Sequence, residues 1–353
     1  MAIESSGWLR VFLLTAFGGG FAFGADNPVG ITALGMTGSS PCSDAIQLLI
    51  DQNPNREIFF PDGIYLLDKP IKTPANPKLS VTLRLSSYAH FKAVESWTNA
   101  EAMVRLGGKC AANDIETPGS MYSISGGIID GSGKANGISV DSGRETVVKD
   151  LSIKATQVGL HIKRGANNGS SDCDIMNVNI VGNGDVRSVG VIVDGCDNTF
   201  SKMRIAKVMT GMLIRANSQC IRDVHPLFVG EWTNYGQSVA FDIRANDIWC
   251  DYCYSDQFST GFRFAKGCGG GVYDKCFCFW YFSSPGMRHV AFAADGQFCA
   301  DINNLTCWFK RKDAVNAVLT AGAPGGCGLI RDTRVVRELV TDPRDVRLTY
   351  SVR

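Results

Sequence analysis

Neither charge dominates this chain. Its 35 Lys and Arg face 34 Asp and Glu, a formal net charge of +1 over 353 residues. A nucleic-acid surface asks for a basic stripe, so no nucleic-acid partner is expected and a neutral or weakly charged ligand fits better. No apolar run is long enough to cross a bilayer. Val11 to Ala25 is broken by glycines and falls short of the ~20 residues that a spanning helix needs. Histidine is scarce, four residues in all. The thirteen cysteines therefore have no imidazole support near Cys250-Asp-Tyr-Cys253, and Cys276-Phe-Cys278 has poor zinc spacing. Neither a metal nor a cofactor is expected. The central region also lacks any ten-residue helical pattern.

What it has is repetition. A small residue followed by apolar, variable, apolar recurs as Gly137-Ile-Ser-Val, Gly159-Leu-His-Ile, Gly190-Val-Ile-Val and Gly211-Met-Leu-Ile. It continues as Ala240-Phe-Asp-Ile, Gly261-Phe-Arg-Phe and Ala291-Phe-Ala-Ala, at intervals of 22, 31, 21, 29, 21 and 30 residues. A second signature places Asp, Asn or Lys before apolar-x-apolar, at Asp150, Asn177, Lys202, Asp223, Asp251, Lys275 and Asn304. Short period-2 runs punctuated by Gly, Asn and Asp read as strands and turns, and self-similarity at this period reads as a solenoid. Each unit is one coil of a parallel β-helix, about ten coils in all. Its alternating apolar positions point inward and its variable ones outward. Cys276, Cys278 and Cys307 fall in inward columns, as buried packing thiols.

Residues 1–25 read as an apolar leader or signal peptide, 26–136 as an N-terminal cap and early coils, and 137–312 as the regular coils. Residues 313–353 read as a last coil with a cap or oligomerisation tail. In the cap, Ser43 to Asp51 forms a short helix with Ser43 or Asp44 as N-cap. Arg56-Glu-Ile-Phe-Phe60-Pro61-Asp62-Gly63-Ile-Tyr65-Leu-Leu67 then gives strand, turn and strand. This pairing resembles the opening of the pectate-lyase-like (pectin-lyase superfamily) proteins, and Gly126-Gly-Ile-Ile-Asp130-Gly-Ser-Gly133 is similar to a coil found in many members. The resemblance implies an all-β, single-domain, right-handed parallel β-helix with an N-terminal capping helix. It also implies action on polysaccharides, as enzymes or as trimeric phage tailspikes. The members' motifs match only in part. The nearest strings to those of polygalacturonases are Gly184-Asp185 and His161-Ile162-Lys163, without Gly-His-Gly or a double Asp. The acidic cluster of calcium-dependent pectate lyases is missing too.

The candidate site lies in two outward columns. One runs Ser139, His161, Ile192, Leu213, Asp242, Arg263 and the other Asp141, Lys163, Asp194, Arg215, Arg244. One reading is a ladder of surface charge pairs. The other is a groove whose carboxylates, two coils or ~9.6 Å apart, suit an inverting glycosidase. On the second reading Asp242 and Glu231 act as acid and base in either order, with Asp194 in reserve. Trp232 and Tyr235 in the long loop before Asp242 form a sugar platform. Arg215, Arg244, Arg263 and His161 bind substrate. The expected function is cleavage of glycosidic bonds in a poly- or oligosaccharide, outside the cell or on a virion surface. The alternatives are a non-catalytic glycan-binding or tailspike-like homotrimer, and a lyase with Arg215 or Arg263 as base.

Overall fold

The computed structural model of this protein describes residues 31–107, 122–164, 170–281, 287–310, 315–323, 326–337 and 346–347. The expected leader, part of the third long loop (283–286) and most of the tail lie outside the described residues. The fold is a right-handed parallel β-helix. One sheet of eleven strands runs from Ile71–Lys72 to Val346–Arg347, every strand parallel to its neighbours. A second sheet of nineteen strands covers the other two faces. In the middle coils one long strand bends across both faces, as in Val147–Thr156, Asp174–Gly182 and Gln219–Leu227. In later coils it splits into pairs such as Ile248–Asp251 with Tyr254–Asp256 and Gly271–Asp274 with Phe277–Trp280.

The bend has one cause. Asp150, Asn177, Lys202, Asp223, Tyr252, Lys275, Asn304 and Asp332 all adopt a left-handed backbone, with φ between 50° and 57°. They stack one above another, because the residues preceding them pair in register from Lys149 to Arg331. Asp, Asn and Lys tolerate this conformation better than β-branched or bulky residues. Six of the seven expected turn residues occupy the column. Asp251 does not: Tyr252 takes the turn and Asp251 ends the strand before it.

The small-residue column has a separate cause. A Cβ on Gly159 would lie 2.6 Å from the Ile180 methyl and 2.7 Å from the carbonyl oxygen of Gly190 on the next coil. Coil stacking leaves no room for more than a small side chain there. Inside, Phe241, Phe262 and Phe292 stack face to face, with centroids 4.6 and 4.7 Å apart. Each is wholly buried, and such a side chain contributes about 1.5–3 kcal/mol.

Cys276, Cys278 and Cys307 are buried, as expected, and all twelve described cysteines are unbridged. Cys278 and Cys307 are vertical partners on successive coils. The open end is closed by the helix Ser43–Gln52. Its N-cap is Cys42 rather than Ser43 or Asp44. The Ser43 hydroxyl instead accepts from the backbone N–H groups of Asp68 and Lys69, pinning the helix to the first coil.

Candidate functional site

The first of the two columns stacks as the repeat demands, but they are not uniformly outward: Ser139, Asp141 and Asp242 are buried. His161, Ile192, Leu213, Asp242 and Arg263 are register partners on five successive coils. The acids there are each tied to a cation. Asp194 accepts two 2.6 Å hydrogen bonds from Arg215 and sits 2.8 Å from His161 Nε2. Asp242, 5% exposed, lies 2.7 Å from Arg244, and Asp141 is held by Lys163 and Arg105. Arg263 turns away to Asp295, at 2.8 Å.

These pairs decide the chemistry. Burial alone would push the Asp194 carboxyl up, but the hydrogen bonds from His161 and Arg215 outweigh it and hold it at about 2. Asp141 is likewise held down against its burial, by Ser139, Lys163 and Arg105. A glycosidase acid needs the opposite shift, so Asp194 is fit to be a base or a fixed negative charge, not a proton donor. Arg263 is pushed up by its hydrogen bonds to Asp295, which makes it a poorer base than a free guanidinium.

The loop before Asp242 differs from expectation. Glu231 is exposed and precedes the short 3-10 helix Trp232–Gln237, which leads into the strand Val239–Ile243. Asp242 sits three residues into that strand, roughly 10 Å along it. No hydrogen bond or ion pair joins Glu231 to Asp242 among the described residues. Tyr235, expected as a sugar platform, is 2% exposed and packs edge-on against Phe228 and His289. Its ring belongs to the core. The Trp232 side chain lies outside the described residues.

A different face carries solvent-facing rings. Register stacks Arg204 under His225. Tyr254, Phe277 and Thr306 continue that column, and Asp256, Phe279 and Trp308 form the one beside it. His225 lies flat on Tyr254, and Tyr254 is 4.9 Å from Phe277. Phe279 meets Trp308 edge-on at 5.3 Å and Tyr281 at 6.0 Å. Lys310 Nζ stands 3.5 Å over the Tyr281 ring. Polar groups are set among the rings. Asp256 accepts from the Tyr254 hydroxyl at 3.4 Å and lies 3.7 Å from His225 Nε2. Burial, then the Asp256 charge, push the Tyr254 hydroxyl up, so it stays a donor. Neither His225 Nε2 nor Trp308 Nε1 has a hydrogen-bond partner among the described residues. Both of those nitrogens are buried, so what this face offers a ligand is its ring surfaces with the Asp256 carboxylate among them, which suits the apolar C–H face of a sugar ring.

Sequence reasoning did not single this face out, though the signal was present. Once Cys276 and Cys278 point inward, Phe277 and Phe279 must point outward.

No family model matches the chain, and no curated protein matches it. Among solved structures, it is similar to an alginate lyase from Paenibacillus sp. str. FPU-7. The TM-score is 0.62 at 15% identity, covering 84% of this chain and 99% of that one. It is also similar to PfbA, a surface adhesin of Streptococcus pneumoniae, with a TM-score of 0.54 at 10% identity over 89% and 93% of the two chains. The Geobacillus virus E2 ORF18 protein gives a TM-score of 0.53 at 12% identity, covering 87% of this chain and 62% of that one. Likeness at these identities bears on the fold alone, the parallel β-helix described above.

Proposed function

We propose that this is a carbohydrate-active β-helix protein that holds a poly- or oligosaccharide along its outward aromatic columns. The observation that carries the reading is the cluster of solvent-facing Tyr254, Phe277, Phe279, Tyr281 and Trp308 around the polar pair His225 and Asp256. These rings point outward over successive coils, Tyr281 the most exposed of them. They offer successive platforms at ~4.8 Å spacing, close to the rise of a sugar chain running along the helix axis. Two fold neighbours, a lyase of alginate and a surface adhesin, fit the same reading.

The catalytic form of the reading keeps Asp242 and Glu231 as acid and base, with Asp194 in reserve. Its support is the register that sets Asp194 and Asp242 two coils apart on one face. The arginines on both acids weigh against it, so binding is the stronger half of the proposal. In its non-catalytic form the protein is adhesin-like or tailspike-like, outside the cell or on a virion surface, with a homotrimer as its assembly.

The test is a panel of alginate, polygalacturonate, chondroitin sulfate, dextran and mixed-linkage glucan. It is assayed for binding, for new reducing ends and for near-ultraviolet absorbance from an unsaturated product. Binding that Trp308→Ala weakens supports the platform. Reducing ends lost in the double variant Asp242→Asn, Glu231→Gln support cleavage. A folded protein that binds none of the panel sinks the proposal.

A further inference from the structure

Beside the aromatic columns, at the corner of the same coils, one residue breaks the pattern of its column. The left-handed turn is filled by Asp, Asn or Lys on every described coil from Asp150 to Asp332 except one, where Tyr252 stands at φ 57°. A bulky aromatic in this conformation is a genuine outlier and costs stability. The core does not repay that cost, because Tyr252 is 65% exposed. Its backbone N–H does no more than its column fellows do, donating to the Asp274 carbonyl on the next coil. A strained residue kept where the fold gains nothing points to use by something outside the fold.

The surroundings indicate what. Tyr252 lines a shallow depression of about 600 Å³, together with Lys202, Arg222, Asp223, Asp251 and Lys275. That volume falls within the roughly 300–1,000 Å³ of small-ligand pockets. Three residues earlier on the same coil, outside the lining of the hollow, Trp249 is a second ring, 49% exposed. Asp251 is shared loosely between Arg222 at 3.4 Å and Lys275 at 3.5 Å, and Lys202 has no ion-pair partner among the described residues. The hollow thus combines an exposed ring with carboxylates and ammonium groups, of which Lys275 also pairs with Asp274 at 3.0 Å and Asp223 with Arg204 at 3.5 Å.

We propose that this corner is a second sugar-binding subsite. One hexose-sized ring of the glycan lies against Tyr252, with its hydroxyls met by Asp223, Asp251, Lys202 and Lys275. The inference rests on the glycan-binding reading and extends it around the corner from the Tyr254 column. Tyr252 is the residue that determines occupancy, and its strain is tolerated because the ligand needs the ring.

The test exploits that conflict between stability and binding. Tyr252→Asn places at this turn the residue that Asn177 and Asn304 already supply in the same conformation. The variant should melt higher than the parent, by roughly 2 °C. In calorimetric titration with the best-bound member of the glycan panel, it should bind about tenfold more weakly. Tyr252→Phe, which keeps the ring, should bind as the parent does. If Tyr252→Asn binds as tightly as the parent while Trp308→Ala does not, the corner subsite is wrong and the glycan-binding reading survives. If Tyr252→Phe loses as much affinity as Tyr252→Asn, the ring is not what the ligand uses, and the subsite is overturned as stated. If the unaltered protein binds no member of the panel, both readings fall together.

Discussion

The imidazole of His225 lies flat on the phenol ring of Tyr254 one coil above, centroids 4.0 Å apart and planes 16° from parallel. The contact bridges the point where the long bent strand Gln219–Leu227 gives way to the paired strands Ile248–Asp251 and Tyr254–Asp256. It therefore joins two coils by side chains on the outer surface.

A double-mutant cycle measures that contact. His225→Ala and Tyr254→Ala, singly and together, should show a coupling of about 0.5–1.5 kcal/mol in urea unfolding. Strictly additive losses would mean that the two rings merely share a column.

Acid should weaken the fold through one buried imidazole. His289 is 1% exposed, packed between Tyr235, the face of Trp280 and Asn316, and burial pulls it down to about 4. Between pH 6.5 and 4 the unfolded chain binds a proton that the folded chain refuses. Stability from this residue is complete above about 6.5 and falls as pH drops, by roughly 2 kcal/mol at pH 5. Asp194 acts in a separate window: held at about 2, it supports the fold above the ordinary aspartate value of 3.8 and loses that support only as pH falls below it. Guanidinium midpoints at pH 7.5 and 5 should differ in the parent and converge in His289→Gln. An unchanged pH slope in that variant assigns the effect elsewhere.

Thiol reactivity should sort by column. Burial pushes Cys250, Cys276 and Cys278 far up, and Cys173 above its ordinary value. These four should resist a thiol reagent until the protein unfolds, whereas exposed Cys220 reacts at once. Cys278→Ser, which buries a hydroxyl beside Cys307, should cost about 1–3 kcal/mol. Rapid labelling of Cys278 in the native protein would place it outside the core.

The small-residue column can be tested by size. Gly159→Val drives a branched side chain into Ile180 and the Gly190 carbonyl, and should cost about 3 kcal/mol or prevent folding. Ala240→Gly, at an equivalent station, removes only a methyl and should cost about 1 kcal/mol. Equal melting of the two variants would refute the steric account of the repeat.

Much of the fold was legible because its rules are local. Alternation of two along a strand assigns Cys278 inward and Phe279 outward from the residues themselves, and close coil stacking forces Gly or Ala to recur at one station. The turn column was legible by residue type in six of its eight described coils, Asp332 lying beyond the repeats read from the sequence and Tyr252 being the other. There type misled: Asp251 looked like the turn residue, yet the register places Tyr252 at the corner, since hydrogen-bonded neighbours are set by counting along the strand. The loop residues were not legible in this way. Nothing in Glu231-Trp-Thr-Asn-Tyr235 reveals that Tyr235 turns into the core against Phe228, because a loop has no period to tell inside from outside.

The sequence by itself determined the solenoid, its inward and outward columns and the vertical order of the outward charges. Only the tertiary structure decided which of those charges are already neutralised by a neighbour and which rings remain open to a ligand. The physical reason is that alternation and small-residue spacing act within a few residues of chain. The partners of Asp194, Tyr254 and Tyr252 arrive from coils 20 to 30 residues away, and their contacts depend on how side chains fill the space between coils.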